Sequence, residues 1–390
     1  MTLFGDSYFF MIAILLSIPA IMMGYFEKNI KNYGLIVSLF LVFFALKDTW
    51  NGVASLAGYC LFELVISNIY LSKVLKEEKK DRSKRTYHIF LILSLMPLLI
   101  WKISAFNGHA ILGFMGISYM TFKTAQIIIE IYDGLIKELD AMEFLYFLVS
   151  FQCISSGPID MSRRFHEDMV NVPSRADYLN MLGDGIQKIL IGMFYKFVIA
   201  TGFYQMVTWL GHFGTLKSNL IFMYSYGLYL FFDFAGYSLM AIGFSYIFGI
   251  KAPENFNKPF LATDMKDFWN RWHMSLSFWF RDFVFSRFMM AAIRGKWFAN
   301  KLNGAACGFI INMCIMGAWH GLNSYYLLYG LYHGLLLAAT EVYQKKSKFH
   351  KKHKKNFMYK GISLVITFNL VMFGLYIFSG EFTRTLGLTI

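Results

Sequence analysis

Long apolar runs with few or no charges recur along this chain, and they limit its fold more than any other feature. The clearest runs cover residues 8–26, 33–46, 52–71, 88–106, 186–210 and 359–379. About 20 apolar residues suffice for a helix to cross a bilayer, where backbone polar groups must be paired inside the protein. The sequence therefore predicts a single all-α, polytopic membrane domain over residues 1–390, with roughly 10 to 12 membrane elements, some interfacial or re-entrant.

The composition excludes an ordinary soluble protein. Hydrophobic residues make up 57% of the chain and charged residues 16%, whereas soluble domains carry about 25% charged residues. The chain has no P-loop, dinucleotide fingerprint, HExxH or CxxC motif, so no nucleotide, redox or metal site is predicted. We interpret the four cysteines as small core residues rather than a disulfide framework.

The positive charge is concentrated in two loops. The chain carries 37 Lys and Arg against 24 Asp and Glu, a net charge of +13; seven of these cations lie in Lys73–Arg85 and seven in Lys345–Lys355. Short loops rich in Lys and Arg stay in the cytoplasm, which explains the charge without a nucleic-acid partner. Three spans precede the first loop, so we expect the N-terminus outside and the first span retained rather than cleaved as a signal peptide.

Two apolar stretches contain residues that are unusual in a lipid-facing helix. Residues 111–132 include two glycines and Lys123, which predicts a broken or tilted element lining a cavity. Residues 220–250 exceed one span, and Asp233 with Gly236 marks a predicted break.

The stretch from residue 267 to residue 333 holds the side chains most able to carry chemistry. Wound as one helix, its first part places Asn270, His273, Ser277 and Arg281 on one face and aromatic residues on the other. That pattern is typical of a helix at a membrane interface. His273 is then either a functional residue or a polar group that faces the headgroups.

His320 follows the apolar run 309–319, which puts an ionisable side chain at membrane depth. Such side chains are rare and frequently functional, since a neutral imidazole can take a proton from an attacking hydroxyl and return it to the leaving group. The alternative is a packing histidine bonded to a neighbouring carbonyl. Gly317 and Gly321 would let a helix or a substrate approach closely. His333, about 220° further round a continuous helix, is expected to pack in the core.

Six motifs, spread in order along the chain, form a recognisable set. They are Gly116-Ile-Ser-Tyr-Met-Thr-Phe122, Ser156-Gly-Pro-Ile159, Asp233-Phe-Ala-Gly-Tyr237, Asn255-Phe-Asn-Lys-Pro-Phe260, Asp267-Phe-Trp-Asn-Arg-Trp-His-Met-Ser-Leu276 and Met316-Gly-Ala-Trp-His-Gly321. In these motifs the chain resembles the membrane-bound O-acyltransferase family, most closely the subgroup that exports D-alanine to teichoic acids.

The resemblance implies a fold and a set of site residues. The fold would be a ring of tilted transmembrane helices around a central funnel, with His320 as the catalytic histidine and His273 as a second functional histidine. Substrate contacts are expected from Asn270, Ser277 and Trp319. The candidates for docking a carrier protein are basic residues: Arg163, Arg164, Arg287, Arg294 and Lys296.

The resemblance also implies an enzyme of the acyltransferase class in the plasma membrane of a Gram-positive cell. It would move D-alanine from a cytoplasmic carrier-protein thioester, on phosphopantetheine, towards teichoic acid hydroxyls, with no cofactor bound by the enzyme itself. Its partners would be the acyl carrier protein, other membrane proteins of the pathway, the teichoic acid acceptor and the bilayer. Two alternatives stay open: an O-acetyltransferase of an exported or cell-wall polymer, and a transporter or channel with His320 as a relay.

Overall fold

The computed structural model describes residues 2–78, 81–210 and 215–388, and within them the chain is helical. No β-strand occurs in these ranges; one isolated bridge joins Phe256 and Trp272. Lys79 and Lys80 of the first basic loop lie outside the described residues. The prediction of an all-α polytopic protein is confirmed.

Ten α-helices lie in the described part of the chain as far as residue 247. They are α1 (Ser7–Tyr25), α2 (Lys31–Leu46), α3 (Trp50–Val74), α4 (Lys84–Phe106), α5 (Ile117–Asp133), α6 (Ala141–Val149), α7 (Ser162–Val170), α8 (Arg175–Phe194), α9 (Thr201–Leu210) and α10 (Leu216–Ile247). A π-helical turn, Tyr195–Ala200, joins α8 to α9.

Shorter helices precede the long ones in the remainder of the described chain. They are α11 (Met265–Trp269), α12 (Met274–Phe280), α13 (Ser286–Arg294), α14 (Lys301–His320), α15 (Ser324–Lys346), α16 (Lys348–His353), α17 (Phe357–Phe378) and α18 (Glu381–Thr385). A 3₁₀ turn, Pro259–Leu261, comes before α11, and a π-helical turn, Arg281–Phe285, joins α12 to α13.

Seven helices among the described residues are long and apolar enough to cross a membrane. They cover Ser7–Tyr25, Trp50–Val74, Lys84–Phe106, Arg175–Trp209, Leu216–Ile247, Lys301–His320 and Phe357–Phe378. The apolar helix α2 is shorter. Side chains cap several of these helices: Asp6 accepts from Phe9 N at 2.8 Å and Asn300 accepts from Asn303 N at 2.9 Å. Each cap satisfies an N–H group that the first helical turn leaves unpaired.

The chain divides into two compact units. The first consists of Met1–Met193 and Gly236–Pro253, and the second of Phe194–Ala235 and Glu254–Ile390. That the two act as one catalytic domain stays a prediction.

Helix α5 is the buried element of the first unit. It starts after Gly116, whose φ is +93° and where a Cβ would lie 2.3 Å from the carbonyl oxygen of Ile154. Lys123 is 1% exposed, and its Nζ donates to the carbonyl oxygen of Phe147 at 2.6 Å. The helix is buried over most of its length, which fits an element that does not face lipid; that it is tilted and lines a cavity stays a prediction.

The predicted break in residues 220–250 is wrong, because α10 runs as one helix of 32 residues through Asp233 and Gly236. The Asp233 carboxylate forms an ion pair with Lys196 Nζ at 2.5 Å. A paired carboxylate can be carried by a membrane helix without interrupting it.

We expect both basic loops to be cytoplasmic and the turn after α4 to be outside. Cysteine at Ser83 or Ser347 should react with an impermeant thiol reagent only after the cells are permeabilised, because each lies within a Lys- and Arg-rich segment. Cysteine at the exposed Asn107 is the control and should react in intact cells. Labelling of position 83 or 347 from outside would contradict this orientation.

Candidate functional site

His320 is the last residue of α14, in the second unit. The helix ends there because Gly321 has extended backbone angles, and α15 starts at Ser324 after Asn323. The motif Gly321-Leu-Asn-Ser324 predicts a helix break here, with Ser324 as the N-cap of the next helix. The break is confirmed, but the N-cap is Asn323. His320 therefore lies next to the non-helical turn that joins α14 to α15.

Close packing of α14 on α15 determines where His320 lies. A Cβ on Gly317 would be 2.5 Å from the carbonyl oxygen of Tyr326, and one on Gly330 would be 2.4 Å from that of Met313. Small residues allow two membrane helices to approach this closely. The two helices are antiparallel, so His320 lies at the end of the pair opposite to Lys345 and Lys346.

Aromatic rings surround the half-buried imidazole of His320. Ring centroids lie 4.6 Å away for Trp319, 5.0 Å for Phe378, 5.9 Å for Tyr326 and 6.2 Å for Tyr329. These rings come from α14, α15 and α17, and they limit the water that reaches the imidazole.

His273 lies in a turn between α11 and α12, in the left-handed backbone region with φ of +44°. Its side chain is 4% exposed and packs edge-on against Phe234, with the ring centroids 4.7 Å apart. A non-glycine residue in this backbone conformation is uncommon and has to be held by its surroundings.

Asn255 holds that turn from the opposite side. Its side-chain oxygen accepts from Ser275 Oγ at 2.5 Å, and its backbone carbonyl accepts from Met274 N at 2.9 Å. The next residue, Phe256, forms the isolated bridge with Trp272. The prediction of one continuous helix through Asn270 and His273 is therefore wrong: the Arg271 carbonyl oxygen accepts from Asn257 N, Met274 N donates to the Asn255 carbonyl oxygen, and the helix is interrupted between Trp269 and Met274.

The two histidines belong to one electrostatic environment. Burial, and next a charge on the neighbouring His320, lower the pKa of His273 well below its usual range. His273 is therefore neutral near pH 7, with a ring nitrogen able to accept a proton or a hydrogen bond.

A cavity of about 220 Å³ in the second unit is lined by residues that lie close in sequence to both histidines. Asn270 and Ser277 contribute to its wall, together with Lys266, Trp269 and Arg281; that Asn270 and Ser277 contact substrate stays a prediction. Met313 and Met316 form its apolar side, and Met316 lies one helical turn before His320. Trp319 is placed beside His320 instead of in the cavity wall.

Residues 54–378 match the family model described as MBOAT, membrane-bound O-acyltransferase family. The chain belongs to the membrane-bound O-acyltransferase family. It is 40% identical over 394 residues to the teichoic acid D-alanyltransferase of Bacillus subtilis (strain 168), with 98% of each chain covered. It is 38% identical to the protein of that name from Streptococcus thermophilus, covering 97% of this chain and 94% of the relative.

A more distant relative is the probable alginate O-acetylase of Pseudomonas aeruginosa. Identity is 29% over 273 residues, which cover 68% of this chain and 49% of the relative. The full-length matches therefore carry the teichoic acid name, while the match to an acetylase is partial.

His333 of the acyltransferase is enclosed by aromatic rings. It is 1% exposed, and its ring centroid lies 4.6 Å from Tyr329 and 5.3 Å from both Trp269 and Tyr332. These contacts fit the packing role expected for it.

The predicted docking residues fall into two groups, one in each unit. In the first, Arg164 is held between Asp160 and Asp168, and Arg163 pairs with Glu130. In the second, Arg287 and Arg294 lie on α13, with Lys296 just after it; Arg294 and Lys296 are exposed.

Asn255 and the rings of Tyr326, Tyr329 and Phe378 are not among the site residues predicted from the sequence, although Asn255 stands in one of the six motifs. A clue to Asn255 was present, because an asparagine before Phe-Asn-Lys-Pro has an amide able to hold a turn. Phe378 lies 58 residues after His320, and only the tertiary structure brings the two together.

We expect Asn255→Ala to destabilise the turn that carries His273. Removing the acceptor leaves Ser275 without its buried hydrogen bond, a loss of about 1–3 kcal/mol, so the thermal unfolding midpoint in detergent should fall. Asn257→Ala is the matched control, since Asn257 is exposed and its recorded hydrogen bonds use backbone atoms. Equal midpoints for the two variants would contradict this role.

Proposed function

We propose that this acyltransferase transfers D-alanine from a cytoplasmic carrier-protein thioester for esterification of teichoic acid hydroxyls outside the cell. The observation that carries the proposal is the position of His320, a half-buried imidazole at a helix end, beside neutral His273 and one turn from a cavity. The full-length relatives named teichoic acid D-alanyltransferase supply the choice of acyl group and acceptor.

In the proposed reaction His320 acts as general base and then as general acid. As the hydroxyl oxygen attacks the thioester carbonyl carbon, the hydroxyl proton passes to a ring nitrogen of His320. The carbon–sulfur bond then breaks, and the imidazolium returns the proton to the departing thiolate. One ester and one thiol form, with no net change in protons, because each proton taken is given back.

His273 is assigned a positioning role from across the site. Its turn is fixed by Asn255, so its ring nitrogens have a defined place in which to hydrogen-bond the acceptor or the acyl group. Asn270 and Ser277 would hold polar groups of the donor arm in the cavity, and Trp319 would close the site beside His320.

The orientation of α14 supports donor entry from the cytoplasmic side. Its first residue, Lys301, lies beside the end of α15 that leads into Lys345–Lys355, the loop we place in the cytoplasm. His320 is at the other end, about 30 Å along the helix axis. Lys266, in the cavity wall, pairs with Glu341 on α15 at 2.7 Å, so the cavity begins on the basic side.

Helix α13 is the proposed docking surface for the carrier protein. It presents the exposed apolar residues Met290 and Ile293 next to the cations Arg294 and Lys296. An acidic carrier would meet complementary charge and apolar contacts there. Arg163 and Arg164, which pair with carboxylates of the first unit, are assigned a structural role in preference.

An O-acetyltransferase of another polymer is the second candidate function, because of the partial match to the probable alginate O-acetylase. Purified protein supplied with isotope-labelled D-alanyl carrier or an acetyl donor, together with membranes, separates the two. Alanyl transfer supports the proposal, and acetyl transfer supports the alternative. If neither group is transferred, a transporter or channel is favoured.

His320→Ala should reduce alanyl transfer by at least about two orders of magnitude, because general-base catalysis is worth about 10²–10⁴-fold. His273→Ala should reduce it less, since that residue positions a reactant and does not carry the proton. The measurement is the rate of transfer from labelled D-alanyl carrier in proteoliposomes.

His333→Ala is the matched histidine control. It should lower thermal stability through the cavity it leaves, with a milder effect on transfer than either other variant. A folded His320→Ala protein that binds the carrier and transfers at the wild-type rate would end the proposed mechanism.

Reversing the charges of Arg287, Arg294 and Lys296 to Glu should weaken carrier binding, most clearly at low salt, where surface charges are least screened. The measurement is the affinity of the carrier protein for the enzyme, which is held in nanodiscs immobilised on a surface. The control reverses three cations of the second basic loop, Lys351, Lys352 and Lys354, which are outside α13. Equal binding by the wild type and the α13 variant would exclude this surface.

A further inference from the structure

Three of the rings around His320 also pack together. Phe378 is their centre, with ring centroids 5.0 Å from each of His320, Tyr326 and Tyr329. Trp319 adds a fourth ring, whose centroid lies 4.6 Å from the imidazole. We call Trp319, Tyr326, Tyr329 and Phe378 the aromatic wall.

A D-alanyl group differs from an acetyl or propionyl group in carrying an α-ammonium. When its carbonyl carbon is at His320, that ammonium is two bonds away and has to lose much of its water at the site. A buried cation needs a carboxylate, hydrogen-bond acceptors or aromatic faces to offset the loss of hydration.

The carboxylates of the second unit are already engaged. Its sequence contains seven Asp and Glu, and six of them have partners in the structure: Asp233 with Lys196, Asp264 with Gln344, Asp267 with Arg271, Asp282 with Arg281, Glu341 with Lys266 and Glu381 with Arg384. The seventh, Glu254, also makes an interaction. The aromatic wall, with ring centroids 4.6–6.2 Å from the imidazole, offers π faces to an ammonium ion at His320.

We propose that the aromatic wall binds the α-ammonium of the D-alanyl group by cation–π interaction and selects D-alanyl over uncharged acyl groups. This inference rests on the proposed function and adds the residues that determine its acyl specificity. Each ring centroid lies within 6.2 Å of the imidazole centroid, so the wall borders the place where the reacting carbonyl and its ammonium would stand, and ring faces attract cations within about 6 Å of their centroids.

The test compares two donors on the same carrier protein, one loaded with D-alanyl and one with propionyl, which has the same carbon skeleton without the ammonium. Phe378→Leu keeps the site apolar but removes the central π face. The ratio of D-alanyl to propionyl transfer should fall by up to about thirtyfold, the equivalent of about 2 kcal/mol for a desolvated cation–π contact. Phe378→Trp restores a ring face and should recover the ratio.

Phe373→Leu is the matched control on the same helix, because that ring contacts Tyr332, Tyr376 and Phe382. The ratio of D-alanyl to propionyl transfer by Phe373→Leu should equal the wild-type ratio. If Phe378→Leu lowers transfer of both acyl groups equally, the wall only packs around His320 and the inference fails while the proposed function stands. If the wild type transfers neither acyl group, both are overturned.

Discussion

The site depends on how the chain pairs its backbone where two helices stop inside a membrane protein. Non-helical backbone is tolerated at membrane depth only where protein or a water-filled cavity satisfies its polar groups. The turn before α12 meets that requirement through Asn255, whose amide and carbonyl oxygens accept from Ser275 and Met274. Both histidines of the proposed site lie at such interruptions: His273 begins a helix and His320 ends one.

Much of this organisation could be predicted from sequence, for identifiable reasons. Spanning helices can be predicted from the length of their apolar runs. The end of α14 can be predicted because Gly-Leu-Asn-Ser follows His320. The turn at His273 was mistaken for helix because residues 267–283 have a helical hydrophobic period. That period is local, whereas the pairing with Phe256 and Asn257 that interrupts it comes from outside the window.

At Asp233 the opposite error occurs: a break is predicted where the helix continues. A carboxylate and a glycine in a long apolar run read as a break, but the charge is neutralised by Lys196, which lies 37 residues earlier. Local patterns report the intrinsic preference of a segment, and a single tertiary partner can reverse it in either direction. The aromatic wall could not be predicted from the sequence for the same reason, since its rings come from three different helices.

The surroundings of the two histidines divide their tasks. His273 is almost fully enclosed, and burial keeps it neutral, so it is suited to holding a hydrogen bond. His320 is half-buried, at a helix end and one helical turn after Met316, which lines a cavity, so it can exchange a proton with a group that arrives and leaves. Proton transfer needs access, whereas positioning needs a fixed environment. The difference in exposure between two chemically identical side chains therefore supports the proposed roles, His320 as the base and His273 as the positioning residue.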